Sequence, residues 1–260
     1  MSRYGVRQLL NVVAVLAVIA VNALANALPL NGQTTGAISD RFAVYFVPAG
    51  HVFAIWGLIY VGLVTYGVYQ ALPQQRQNGR LRGIDYLFLA SCLANIVWLF
   101  FWHYSLFLFT VPAMLTLLLA LILIYWRLGI GRTAISPAER WLVQLPFSVY
   151  LGWISVATIA NFADVLYLVR WDAWGLDPVQ WTVIMLAVAT LLGALMAVTR
   201  RDVAYLLVLA WAFAGIAVKQ SPTILVAMPA ALAALLVLLL AAYSLRRQAM
   251  PSSPPVKGSE

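Results

Sequence analysis

Trp153-Ile154-Ser155-Val156-Ala157-Thr158-Ile159-Ala160-Asn161 sets an indole, a methyl group and a carboxamide four residues apart. At 3.6 residues per turn the three fall on one stripe of a helix. That helix belongs to a run apolar enough to cross a bilayer, where an indole N–H or an amide without a partner is costly. The stripe must therefore face other helices, a cavity or a ligand. Outward from it the same pattern repeats, because 64% of the 260 residues are hydrophobic and only 9% are charged. This is more apolar surface than one soluble core can hide, and it comes in runs of about twenty residues. In hydrocarbon the backbone must satisfy itself within a helix or a closed barrel, and these runs are too uniform to alternate as barrel strands. The fold class is all-α, a polytopic transmembrane helical bundle.

Punctuation divides the chain into eight spans, near 8–28, 46–71, 84–102, 105–126, 138–165, 179–199, 203–219 and 223–245. Three starts are well marked. Ser136-Pro137-Ala138-Glu139 and Asp177-Pro178-Val179-Gln180 each place a cap residue, a proline at the first helical position and an acid or amide two residues later, and Ser221-Pro222 repeats the first half. Of the 16 Lys and Arg residues, this count puts only Arg41, Arg170 and Lys219 on one side and the remainder on the other. Cytoplasmic loops collect positive charge, so both termini are expected in the cytoplasm, with a bacterial inner membrane as the site. Topology thus accounts for the net charge of +8, and a nucleic-acid partner is not needed. Arg3, Arg7, the apolar run and Ala23-Leu24-Ala25 also fit a cleavable signal peptide, but the run exceeds the roughly 7–15 residues of a signal core. The single Cys92 excludes an internal disulfide, and the Pro- and Ser-rich tail from Pro251 reads as disordered.

The sequence offers no metal-ligand cluster, nucleotide loop or nucleophile triad. His51 and His103 are expected at opposite faces of the membrane, Lys219 at the membrane edge as a snorkelling cation, and no carboxylate deep enough in the membrane to act as a counter-ion or proton relay. Chemistry then rests on ten Trp, twelve Tyr and eleven Phe. Trp102, Trp126, Trp141, Trp171, Trp174 and Trp181 stand at span ends, where headgroup anchoring explains them. Trp56, Trp98 and Trp153 lie within spans, with Tyr60 four after Trp56, Asn95 three before Trp98 and Asn161 eight after Trp153. Three buried indoles and two carboxamides could line a cavity for a flat, largely apolar ligand, or serve as helix-packing glue.

These residues carry a resemblance. The first five spans are similar to the tryptophan-rich sensory protein family, bacterial relatives of the mitochondrial translocator protein once called the peripheral benzodiazepine receptor. The match rests on Trp153, Ala157 and Asn161 in the fifth span, on Asn95, Trp98, Phe100 and Phe101 in the third, and on Pro48, Gly50, Trp56 and Tyr60 in the second. The resemblance implies a five-helix bundle around a pocket for porphyrins, such as protoporphyrin IX or haem, with loop 29–47 as its lid. It also implies a ligand role for Trp56, Asn95, Trp98, Trp153 and Ala157, and, in some bacterial members, light-dependent porphyrin degradation tied to the equivalents of Trp56 and Trp153. The chain departs from the pattern in three ways. Tyr45 and Phe46 stand where the family has a tryptophan, His51 is extra, and three further spans follow the fifth.

The expected organisation is a ligand-binding bundle over 1–169, three additional helices over 170–248 and a disordered tail over 249–260. Trp56, Tyr60, Asn95, Trp98, Trp153, Ala157 and Asn161 form the expected ligand site, Pro48, Gly50 and His51 its entry loop. No catalytic residue and no metal are expected. The partners are the lipid bilayer and a small hydrophobic ligand, with Gly193 and Ala197 offering a small-residue contact for a homodimer. The leading function is a tetrapyrrole sensor, carrier or regulator. The alternatives are a secondary transporter, which the absence of an internal repeat disfavours, and a light-dependent porphyrin-degrading protein.

Overall fold

The computed structural model describes residues 3–28 and 30–249. Eight long helices follow one another: α1 (Arg3–Ala27), α2 (Ile55–Ala71), α3 (Asp85–His103), α4 (Phe107–Arg127), α5 (Leu145–Leu168), α6 (Pro178–Thr199), α7 (Val203–Lys219) and α8 (Ile224–Ala249). Among the described residues seven stretches are long and apolar enough to cross a membrane, and α7 is a shorter apolar helix of 17 residues. The molecule is a polytopic helical bundle and an integral membrane protein. Apart from Ala249, which ends α8, the expected disordered tail lies outside the described residues.

Local chemistry sets the helix ends. The Ser136 hydroxyl accepts from the Glu139 N–H at 3.2 Å, and Asp177 and Gln180 form a reciprocal capping box at the start of α6. After the Ser136 cap the chain makes a turn over Pro137–Glu139 and a π turn over Arg140–Gln144 before entering α5. Pro146 has no N–H for the carbonyl four residues back, and the wider turn just ahead of it absorbs that missing bond. Asp202 caps α7 through the Tyr205 N–H at 3.1 Å. At the eighth span the helix begins at Ile224, two residues after Pro222, where the Ser221-Pro222 signal places its first position.

Packing makes α5 the axis of the molecule. In its best span window 72% of residues are buried, against 28–50% for the other spans. It touches α2, α4 and α7, while α1 packs on α2 and α3, and α3 on α4. The last three helices pack on one another and reach the first five chiefly through α7 against α5. Gly152 permits that approach, since a Cβ there would lie 3.1 Å from Val208 Cβ. One bond crosses the seam, from the Tyr205 hydroxyl to Ser155 Oγ at 3.1 Å. Polar pairs tie α1 to its neighbours: Asn11 donates to Asp85, Gln8 to the Gln70 carbonyl, and Asn22 to Asn95.

Between α1 and α2 the chain crosses one end of the bundle as a lid, with short helical turns at Thr35–Ser39 and Gly50–Ala54. Its fastenings reach distant helices. The Trp102 indole donates to the Thr35 carbonyl at 3.2 Å, and Asn31 Nδ2 to the His103 carbonyl at 3.1 Å. Others come from around the end of α7: Gly215 O accepts from the Ala49 N–H at 3.1 Å, Gln220 donates to the Tyr45 carbonyl at 3.2 Å, and Lys219 pairs with Asp40.

Candidate functional site

Beneath this lid lies a cavity of about 40 Å³ enclosed by α2, α3, α5 and the lid. Its walls are aromatic. Trp98 and Trp102, one turn apart on α3, stack with centroids 5.4 Å apart and planes at 19°. Trp56 meets Trp153 edge-on at 6.2 Å, and Phe53 meets Trp153 likewise at 5.8 Å. Edge-to-face and offset contacts of this kind suit the ring quadrupoles and hold the indoles in fixed orientations.

The polar groups of the site fall into two sets, satisfied and unsatisfied. Trp98 Nε1 donates to Asn161 Oδ1 at 3.2 Å, and Asn161 Nδ2 donates to Thr110 Oγ1 at 2.8 Å, so α3, α5 and α4 share one chain of bonds. A second chain runs deeper, from Asn22 to Asn95 at 2.9 Å and from Asn95 to the Tyr150 hydroxyl at 3.0 Å. Against these, Trp153 Nε1 and Asp164 Oδ1 have no hydrogen-bond partner among the described residues. Both residues line the cavity and both are only 2% exposed. A donor and an acceptor so deeply buried are normally paired; here both face one cavity, while Asn11 Oδ1, the Tyr66 hydroxyl, His103 Nε2 and Ser244 Oγ are unpaired elsewhere among the described residues.

The structure brings together Trp56, Trp98, Trp153, Ala157 and Asn161, with Pro48 from the entry loop. It places the other expected residues elsewhere. Asn95 is buried away from the cavity in the Asn22–Tyr150 chain, and Tyr60 stacks behind Trp56 at 5.7 Å. Gly50 and His51 sit exposed on the outer turn of the lid, His51 edge-on to Trp211 at 5.7 Å. The two histidines, expected on opposite faces, share one end of the bundle, since the lid holds His51 and also bonds to the His103 carbonyl. His103 is buried with Nδ1 2.9 Å from the Leu99 carbonyl, and no group of metal-ligating side chains occurs among the described residues.

Sequence reasoning missed three kinds of contributor. Trp102, expected as a headgroup anchor, is 3% exposed and part of the cavity wall. Asp164, to which sequence reasoning assigned no role, is buried three residues past Asn161 on the same stripe of α5, four residues before its end. Helical spacing carried both signals, since Trp102 follows Trp98 by four and Asp164 follows Ala157 by seven. Thr35, Ser39 and Phe53 had no such signal, because they reach the site only when the lid folds over.

The model of the TSPO-like protein family matches residues 8–243, a stretch that includes every indole, amide and carboxylate of the cavity. The chain belongs to the TSPO-like family. No curated protein and no solved structure matches it. The match runs through α8, so in this TSPO-like protein the three late helices lie within the family's extent, and α7 supplies fastenings for the lid over the cavity.

Proposed function

We propose that this TSPO-like membrane protein binds a flat, largely apolar ligand of the tetrapyrrole class, protoporphyrin IX or haem, beneath the lid. It acts there as a sensor, carrier or regulator, in a bacterial inner membrane with the Arg-rich end cytoplasmic. One observation carries this reading: Trp153 Nε1 and Asp164 Oδ1 are buried, unpartnered and in the same aromatic cavity. A ligand with an acceptor for the indole and a donor for the carboxylate would satisfy both, and the faces of Trp56, Trp98 and Trp102 suit a flat π-system. Protoporphyrin IX offers propionate oxygens as acceptors and, in the neutral acid, O–H donors.

Size determines how such a ligand enters. At about 40 Å³ the cavity holds about three waters, whereas pockets for drug-sized ligands begin at about 300 Å³. The conformation described is therefore closed, and binding requires the lid to lift from the ends of α3 and α7.

The test is titration of the detergent-purified protein with protoporphyrin IX in the dark, followed by tryptophan fluorescence. Saturable quenching in the parent, weakened in Trp153→Phe and Asp164→Asn with folding retained, supports the reading. Absent saturation, or affinity unchanged in both variants, overturns it. Illumination extends the test: loss of porphyrin absorbance that Trp56→Phe and Trp153→Phe abolish would add degradation to binding. Uptake into proteoliposomes that needs an ion gradient would make the protein a transporter instead.

A further inference from the structure

A second feature lies on the outside of the bundle, starting beside the Gly50–Ala54 turn of the lid. A groove of about 570 Å³ runs between α2, α5 and α7, walled by Leu58, Val61, Leu145, Val149, Leu207 and Trp211. Its floor is closed where Gly62 meets Pro146, a Cβ at Gly62 coming within 3.0 Å of Pro146 Cβ. At the Arg-rich end it continues, through Trp141, Leu145, Ala204 and Leu207, into a hollow of about 490 Å³. Three arginines line that hollow: Arg140 at the start of the α5 span, and Arg200 and Arg201 in the turn between α6 and α7.

The charge there is only partly compensated, three guanidinium groups facing the single carboxylate of Asp202. Among the described residues the ion pairs are Arg80–Glu139 and Lys219–Asp40, neither at this hollow. Asp202 also lines it, but Oδ1 accepts from the Tyr205 N–H and Oδ2 from the Tyr125 hydroxyl at 2.7 Å. Among the described residues Arg140 bonds a neutral amide, Gln248 Oε1 at 3.1 Å, and Arg200 bonds the Ile130 carbonyl at 3.2 Å and lies over the Tyr125 ring at 5.5 Å. Trp141, 66% exposed on the seam between groove and hollow, sits as an indole does at the level of the headgroups. An apolar channel at acyl depth that opens at headgroup depth onto three cations is complementary to one kind of molecule.

We propose that this groove is a binding site for an anionic phospholipid, its acyl chains between α2, α5 and α7 and its phosphate among Arg140, Arg200 and Arg201. A second copy of the chain fits less well. A two-fold contact between parallel copies would set three arginines at the same level as three others, with only one carboxylate, Asp202, in each copy to offset them. A zwitterionic lipid carries its own cation into the cluster and loses the charge advantage.

Native mass spectrometry of the full chain in detergent tests this, with palmitoyl-oleoyl phosphatidylglycerol and phosphatidylcholine as probes. The expected result is one saturable phosphatidylglycerol adduct, bound at least tenfold more tightly than phosphatidylcholine. Arg140→Gln with Arg201→Asn should weaken it about 30-fold, the effect of removing two charges from beside a headgroup. Asn is chosen at 201 because that residue has φ of 52°. Ala204→Phe, which fills the seam, should abolish the adduct with the arginines intact, and both variants should retain the parent's circular dichroism. Equal binding of the two lipids, or affinity unchanged in both variants, overturns the proposal. So does full competition by millimolar inorganic phosphate with Ala204→Phe inert, which makes this a free-anion site. A shift from dimer to monomer in the variants with unchanged lipid binding makes it an interface between copies.

Discussion

Lys219, the last residue of α7, holds Asp40 of the lid at 2.7 Å across 179 residues of sequence. This pair fastens the chain's second-last crossing to the segment that closes the aromatic cavity. Because Asp40 is 61% exposed and Lys219 27%, the pair contributes little to overall stability, at most about 1 kcal/mol and less in salt. Its effect belongs to lid opening. Lys219→Gln should leave the unfolding temperature within about 2 °C and raise the association rate of protoporphyrin IX. Stopped-flow tryptophan quenching reads that rate, and an unchanged rate at low salt would remove the pair from the opening step.

Gly215 makes a further contact between α7 and the lid. Its carbonyl accepts from the Ala49 N–H, and a Cβ on it would collide with the Val52 side chain. Gly215→Ala must push the Gly50–Ala54 turn off α7, at about 1–3 kcal/mol for overpacking. Thermal unfolding in detergent should register that loss. A parallel Gly57→Ala control, where a Cβ meets nothing within 4 Å, should not lower stability.

Asn161 joins α3, α5 and α4 through Trp98 and Thr110. Asn161→Leu removes both bonds and leaves the Trp98 indole N–H buried without an acceptor. The expected loss is about 1–2 kcal/mol, the range for interhelical polar contacts in membranes. It should appear as a lower unfolding temperature, and Asn161→Gln, whose longer amide cannot reach both partners, should recover only part of it.

Asp164 presents the opposite sign. Its carboxylate is buried with Oδ1 unpartnered, so Asp164→Asn keeps the shape and relieves a desolvation cost. The variant should unfold at a higher temperature and bind protoporphyrin IX more weakly. A variant destabilised by the amide would show that the carboxylate is structurally satisfied and not held open for a ligand.

Composition alone carried the fold a long way. Eight spans, their order and two of the three marked caps are properties of windows of twenty residues or fewer. Helix periodicity, capping and hydropathy act at that range. The Trp153–Ala157–Asn161 stripe was legible for the same reason, and one more turn of the same arithmetic reaches Asp164. Tertiary structure alone decided which stripe faces which. It joined Trp98 to Asn161 across 63 residues, folded Thr35 and Ser39 over the indoles, withdrew Asn95 and Tyr60 from the cavity and moved Trp102 into it. It also bound α7 to the lid and set three arginines at the mouth of an apolar groove. Rotation of each helix about its axis and the path of a 27-residue lid depend on contacts distant in sequence, and no local pattern encodes them.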